Sequence, residues 1–475
     1  MLARLVLLLS SLAALCPGHT VPAGQTLKVR LLYPVGSHFS RKGDPVRAVL
    51  TAPIQVSGGT SISAGTEIHG SVTSVRRVGL GFRNQTASLH LTFSQVLPTG
   101  HAPIDIAARV LEIENAREKV APDGKILGIL ASISPHFLVD SRVKYLPTFR
   151  AWADPFMLAY KASFPFFPEP EILLPAGADL VLALEEPLEI PLALEVDAAY
   201  LPSFAPEEIA ELKELVESLP TRTRTKEDGQ ESDLINLLFI GAPEEVVSAF
   251  RSAGWAGSDR RSIRSFLRSA RAFFENRTYP EAPMSRLYVD GRGQDMSWQK
   301  GLNSYARRHH LRLWRRPSVW RGEDVWLVAA TRDAGIGVSL SRFHFYHRID
   351  PRIDEERAKV IEELAFQGCV AAYHLVARPG VTRRTVNGTG DAIVTDGAVA
   401  AIRLQSCRAS FLAFSGPMPK QGNFFSRLLR RQVLTLRHDV LNANIVLGPY
   451  QMVRTLQHQL SRPPRPVNAF RDGTP

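Results

Sequence analysis

The stretch Ala306–Pro317, ARRHHLRLWRRP, sets two adjacent histidines among five arginines and a tryptophan. Read as a β-strand, it sends alternate side chains to opposite faces. His309, Leu311 and Leu313 point one way, and Arg308, His310, Arg312 and Trp314 the other. The first set belongs to a core, so His309 is expected to pack with the leucines. The second set reads as a basic surface on which Arg308, Arg312 and Trp314 bind a ligand beside His310. Adjacent histidines on a flat strand cannot both ligate one ion without a bulge, so no metal site is expected here.

The next run, VWLVAATRD (Val325–Asp333), is apolar on both faces until Arg332 and Asp333, which marks a central, covered strand. Arg332 joins the expected ligand-binding set. Asp333 precedes AGIG, where a strand end meeting a loop predicts either a functional carboxylate or a turn residue before Gly335. His347, in HRIDPRIDEER, stands outside a helix N-terminus for which Asp350 is the expected cap and Pro351 the first residue. Asp354, Glu355 and Glu356 then fall in the first turn, where the helix dipole favours acids. His310, Asp333 and His347 together form the candidate acid–base set.

Around this core, strand-like runs alternate with helices. GAPEEVVSAFRSAGW and SIRSFLRSARAFF read as amphipathic helices, and SRLYVD, GVSLSRFHFYH, VAAYHLVA and AVAAIRLQSC as strands. An α+β domain with a mostly antiparallel sheet and flanking helices is expected over 233–410. NGTGDAIVTDG is loop chemistry in which Asn387, Asp391 and Asp396 cap turns. It lacks the spacing of a phosphate loop, so no cofactor is expected.

The ordered set DLINLLFIG, AGW, APMSRLYVDGRGQD, RRHHLRLW, VWLVAATRDAGIG, HRIDPRIDEER, NGTGD and TDG, spanning about Asp233 to Leu404, resembles the LssY C-terminal-type domain of bacteria. The family is named from a bacterial secretion locus, and some members join this domain to membrane modules of the phosphatidic-acid-phosphatase type. The resemblance implies a cell-envelope setting and specifies no reaction.

The chain before this domain reads differently. From about residue 24 to 200, short runs such as LKVRLLYPV, TEIHGSVTSV and APIDIAARVLEI, separated by Gly, Pro and Ser, predict a mainly-β barrel or sandwich. An echo between ISAGTEIHGSV (62–72) and LLPAGADLVLAL (173–184) places Gly65 and Gly177 at equivalent turns needing positive φ. An aromatic, proline-rich insertion interrupts the pattern at 134–170. Residues 201–232 are expected as an acidic helix and a charged linker, which predicts that 233–460 folds without the barrel.

MLARLVLLLSSLAALCPGHT opens the chain with an apolar run from Leu5 to Cys16, the length of a secretory signal and too short to span a bilayer. Residues 1–23 are therefore expected as a leader, and a lipoprotein anchor at Cys16 is disfavoured because Leu15 stands where a small residue belongs. In an exported protein Cys369 and Cys407 either pair or remain buried thiols, and neither has the CxxC spacing of a zinc site.

The formal charge is +11. The excess lies beyond Asp233, where 33 of 36 basic residues are arginine. Export sets nucleic acid aside as a partner. It leaves an anionic envelope ligand, a membrane surface or an envelope protein, with a hydrolase acting on phosphate-bearing material as the alternative. The end, 411–475, reads as a basic amphipathic helix and a disordered terminus. The apolar face of that helix (Phe425, Leu428, Leu429, Val433, Leu436, Val440) is expected to pack or to meet lipid, with Arg427, Arg430, Arg431 and Arg437 outward.

Overall fold

The computed structural model describes residues 19–443 with 449, 450 and 453, apart from 56–60, 82–83, 116, 131–169, 191–200, 226–228, 260–261, 266–267, 270–278, 280, 305–306, 340–343 and 409–422. Most of the expected leader, the aromatic insertion, most of the helix expected at 262–274 and the chain end lie outside these residues.

Six strands form the first domain: β1 (Thr26–Leu31), β2 (Pro45–Leu50), β3 (Glu67–Arg76), β4 (Thr86–Leu97), β5 (Ile104–Ile113) and β6 (Asp179–Leu184). Each pairs antiparallel with the next, and β6 returns to β1, so the sheet closes into an up-and-down barrel. Closure leaves these strands no free edge and encloses a core of Val29, Leu31, Ile68, Leu91, Phe93, Val110 and Leu182. Gly65 and Gly177 have φ of 91° and 85°. Each donates its N–H to the end of the neighbouring strand, to the carbonyls of Leu50 and Leu31. The same turn recurs at Gly24, with φ of 84° and an N–H bonded to Leu184. The echo therefore has three copies, the first in PAGQT.

The second domain is a three-layer α+β structure. Its helices are α1 (Pro206–Ser218), α2 (Pro243–Ser252) and α3 (Ile353–Phe366). Its strands are β7 (Leu237–Ile240), β8 (Met296–Ser304), β9 (Arg307–Trp320), β10 (Glu323–Ser339), β11 (His344–Ile349), β12 (Val370–Val376) and β13 (Val399–Leu404). The sheet order is β8-β9-β10-β7-β13-β12, with β11 on the far half of β10. Of these pairs β7–β13 is parallel and the rest are antiparallel. One face packs Leu311, Leu313, Trp326 and Val328 on α2 and α3. The other packs Trp314, Leu327 and Ala329 on α1.

Several boundaries differ from expectation. The charged linker is a β-hairpin: Arg222–Arg224 pairs with Glu231–Leu234 and with Tyr288. The helix before it also packs on the second domain, through Leu212 and Val216. Helix α3 starts at Ile353 with Arg352 as its cap, not at Asp350, whose carboxylate accepts the Arg352 N–H. Asp354, Glu355 and Glu356 do occupy the first turn. Cys369 and Cys407 are joined in a disulfide.

Helix α4 (Phe424–Ala443) packs on the barrel with the face opposite to the one expected. Leu434 enters the barrel core and Arg431 is fully buried. Arg430 reaches the Val78 carbonyl and the buried Glu171, and Arg437 reaches the Gly79 and Gly81 carbonyls. Phe425, Leu429, Leu436 and Val440 face outward. The physical reason is that loop carbonyls and a buried carboxylate on the barrel are strong acceptors, which guanidinium groups satisfy and leucines cannot.

Candidate functional site

The strand reading of the opening stretch holds residue by residue. On β9 and β10, His309 stands opposite Arg332, His310 opposite Thr331 and Arg312 opposite Ala329. What differs is exposure: Arg308, His310, Arg312 and Trp314 are all buried, so the expected basic surface is a polar interior.

That interior is closely paired. Arg308 Nε donates to Asp333 Oδ2 at 2.9 Å and its Nη1 to Gln299 Oε1 at 2.6 Å. Arg312 Nη1 donates to Asp233 Oδ2 at 3.2 Å, and its other nitrogens to the carbonyl and hydroxyl of Ser285. His310 Nε2 lies 2.8 Å from Thr331 Oγ1, and its Nδ1 lies 3.3 Å from Asp333 Oδ1. Burial pushes the Asp233 carboxyl up against the pull of Arg312, and burial lowers Arg312 in turn. Asp333 is not a turn residue, since β10 runs on to Ser339 and the carboxylate sits inside the sheet. His347 stands opposite Ile336, three positions beyond Asp333, and its side chain lies outside the described residues.

The opposite face meets the barrel. His309 Nδ1 lies 2.7 Å from Glu356 Oε2, and its Nε2 lies 2.9 Å from Glu114 Oε1, just past the end of β5. Lys359 Nζ binds Glu114, Asp179 at 2.9 Å and Glu363 at 3.0 Å. Arg30 grips Asp179 with two nitrogens, at 2.6 and 3.0 Å, and Lys300 binds Glu363 at 2.6 Å. Lys28 binds Glu362 at 2.5 Å. Five cations and five carboxylates from both domains thus neutralise one another in a seam that is buried at its centre and half-buried at its edges. Glu114, Asp179 and Glu363 approach one another closely enough to hold a cation, and the Lys359 ammonium already sits among them.

Burial works against a charged His309, but Glu356 and Glu114 overcome it and hold the imidazole up at about 9. Burial likewise pushes Glu363 up, and Lys300, Lys359 and Arg30 bring it far below the ordinary carboxylate range. His309 is therefore an ionic member of the domain seam, not simply a companion of the leucines.

At the rim of this seam, Arg307 lies on the same face as His309, and Arg332 stands directly opposite His309. Among the described residues neither guanidinium has a hydrogen bond or an ion pair within 4 Å. Burial and then the neighbouring Arg332 charge depress Arg307. Lys119 of the barrel is depressed by burial and then by Arg307. Arg332 faces Glu112, Glu114 and Glu355 at longer range. Arg332 is thus parted by the sheet from Arg308, Arg312 and Trp314, with which the sequence grouped it.

Residues 216–399 match the LssY C-terminus family. The LssY C-terminus match begins inside α1 and ends at the start of β13, so it contains the buried cluster, Arg307, Arg332 and α3, and excludes the barrel and α4. Comparison with curated proteins gives no match. Among solved structures, ComB10 of the Com type IV secretion system of Helicobacter pylori is similar at 11% identity, over 38% of this chain and 96% of that one, with a TM-score of 0.21. A likeness of that size carries no argument. Among the described residues no helix is long and apolar enough to cross a membrane.

Proposed function

We propose that this is an exported envelope protein in which the barrel and the LssY C-terminus domain act as one body and bind a phosphate- or carboxylate-bearing ligand at the rim of their seam. Arg307 and Arg332 are the binding pair, with Lys119 adding charge from the barrel. The carrying observation is the contrast between two sets of arginines. Arg308 and Arg312 spend their donors on Asp333, Gln299, Asp233 and Ser285, whereas Arg307 and Arg332 sit side by side in a half-buried place with no hydrogen bond or ion pair among the described residues. Two guanidinium groups that repel each other gain most from an anion placed between them.

The envelope setting is supported by the family likeness, by the apolar opening of the chain and by the disulfide, a bond that persists in oxidising compartments. The leader is proposed to end before His19. His19–Val21 pairs with Leu188–Ile190 and Val21 is buried in the barrel core, so the cut before Gly24 read from the sequence would remove a strand.

Calorimetric titration with pyrophosphate tests the site. Wild type should bind, Arg307→Ala and Arg332→Ala should each weaken binding by tenfold or more, and added salt should weaken it further. Equal binding by all three proteins would sink the reading.

A second reading, hydrolysis of phosphate-bearing material, rests on the order hydroxyl, imidazole, carboxylate along Thr331, His310 and Asp333. It requires Thr331 to reach substrate, and Thr331 is 1% exposed. Loss of phosphate-ester turnover in both Thr331→Val and His310→Gln would establish it, and absence of turnover in wild type would remove it.

A further inference from the structure

We propose that the outward face of α4 is the seam of a parallel two-stranded coiled coil with the α4 of a second copy of this chain. Half of the exposed large apolar side chains among the described residues fall between 424 and 453, and four of them, Phe425, Leu429, Leu436 and Val440, lie along one side of α4 at 77%, 67%, 65% and 47% exposure. A 20-residue helix that packed in the ordinary sense would hide these and show its arginines. Here the arginines are committed inward, to Glu171 and to the Val78, Gly79 and Gly81 carbonyls.

The spacing says what covers the face. Leu429, Val433, Leu436 and Val440 recur at intervals of four, three and four, the heptad positions d, a, d and a. Branched valine at a with leucine at d is the choice that favours two parallel strands. Arg431, Leu434, Thr435, Arg437 and Leu441 are the buried ones, so the barrel occupies the back of the helix and one flank, while along the a/d seam Leu429, Leu436 and Val440 are exposed and Val433 is half-buried. A twofold axis along the seam sets each Val433 against its own copy.

An anionic bilayer is the weaker occupant. A helix lying on such a surface presents lysine or arginine beside its apolar stripe, and here Arg430 and Arg437 turn to the barrel and Arg431 is fully buried.

The test uses the full chain in a Cys16→Ser background, so that the remaining native cysteines are joined to each other. Sedimentation equilibrium should show a reversible dimer, and Val433→Cys should cross-link to itself under mild oxidation, while the exposed control Ile263→Cys should not. Leu436→Glu should raise the dimer dissociation constant by about 100-fold and leave the melting of the diluted monomer unchanged. The proposal fails if the chain stays monomeric at high concentration, or if Val433→Cys cross-links no better than Ile263→Cys. It fails too if Leu436→Glu leaves the dimer intact, or if a monomeric chain binds phosphatidylglycerol vesicles through this face and Leu436→Glu abolishes that binding.

Discussion

Replacing His309 with glutamine leaves Glu114 and Glu356 facing a neutral side chain in the buried seam where a charged imidazole had met both, at 2.9 and 2.7 Å. The sign of the pH dependence follows from the direction of the shift. His309 is held at about 9 in the folded chain against an ordinary value of 6.5, so the folded state binds its proton more tightly than the unfolded state. Its contribution is fully present below about pH 6.5, declines as pH rises, and is gone above about pH 9. At about 1.4 kcal/mol per unit, the shift corresponds to about 3 kcal/mol, within the range for breaking a buried ion pair. Urea unfolding followed by tryptophan fluorescence is the assay, with Trp255 placed 6.2 Å from His309 as a local reporter. Wild type should lose about 3 kcal/mol relative to His309→Gln between pH 6 and pH 10, with the two curves meeting at the alkaline end. A constant difference between wild type and variant across that range would refute the ionic role of His309.

Three further outcomes follow from the packing. Arg430→Ala should lower thermal stability by about 3 kcal/mol by removing the guanidinium that binds the buried Glu171 carboxylate, while Leu429→Asp in dilute solution should leave the melt nearly unchanged; the reverse pattern would mean that α4 is turned the other way. Asp333→Asn should cost about 3 kcal/mol, measured by chemical denaturation, because Arg308 is left buried without its carboxylate. Reducing the Cys369–Cys407 bond, which spans 38 residues, should lower stability by about 4 kcal/mol, and an unchanged melt in strong reductant would show that the loop is held by other means.

The strand alternation at 307–314 was legible because a period of two admits one assignment of faces, and the glycine turns at 65 and 177 were legible because Ala-Gly followed two residues on by an acid that opens a strand is a local signal. The third copy, at Gly24, is hidden in the sequence by the expected leader cut beside it. The exposure of Arg308, His310 and Arg312 was not legible. Their burial depends on Asp233, Gln299 and Ser285, which arrive from elsewhere in the chain. The seam was invisible for the same reason: Glu356 reads locally as a first-turn acid favoured by the helix dipole, and the partners Arg30, Glu114 and Asp179 that it, Lys359 and Glu363 gather around lie more than 170 residues away. Helix α4 misled because amphipathicity reveals that a helix has two faces and not which one a given surface will accept.

The central claim, that an anion binds between Arg307 and Arg332 at the seam of the two domains, is tested most directly by diffraction from crystals of the full chain soaked in tungstate, an electron-dense tetrahedral oxyanion. The account predicts an anomalous peak within hydrogen-bond reach of both guanidinium groups, lost in Arg307→Ala crystals. A peak at Arg308 or Arg312 instead, or no peak on this face of the sheet, would contradict it.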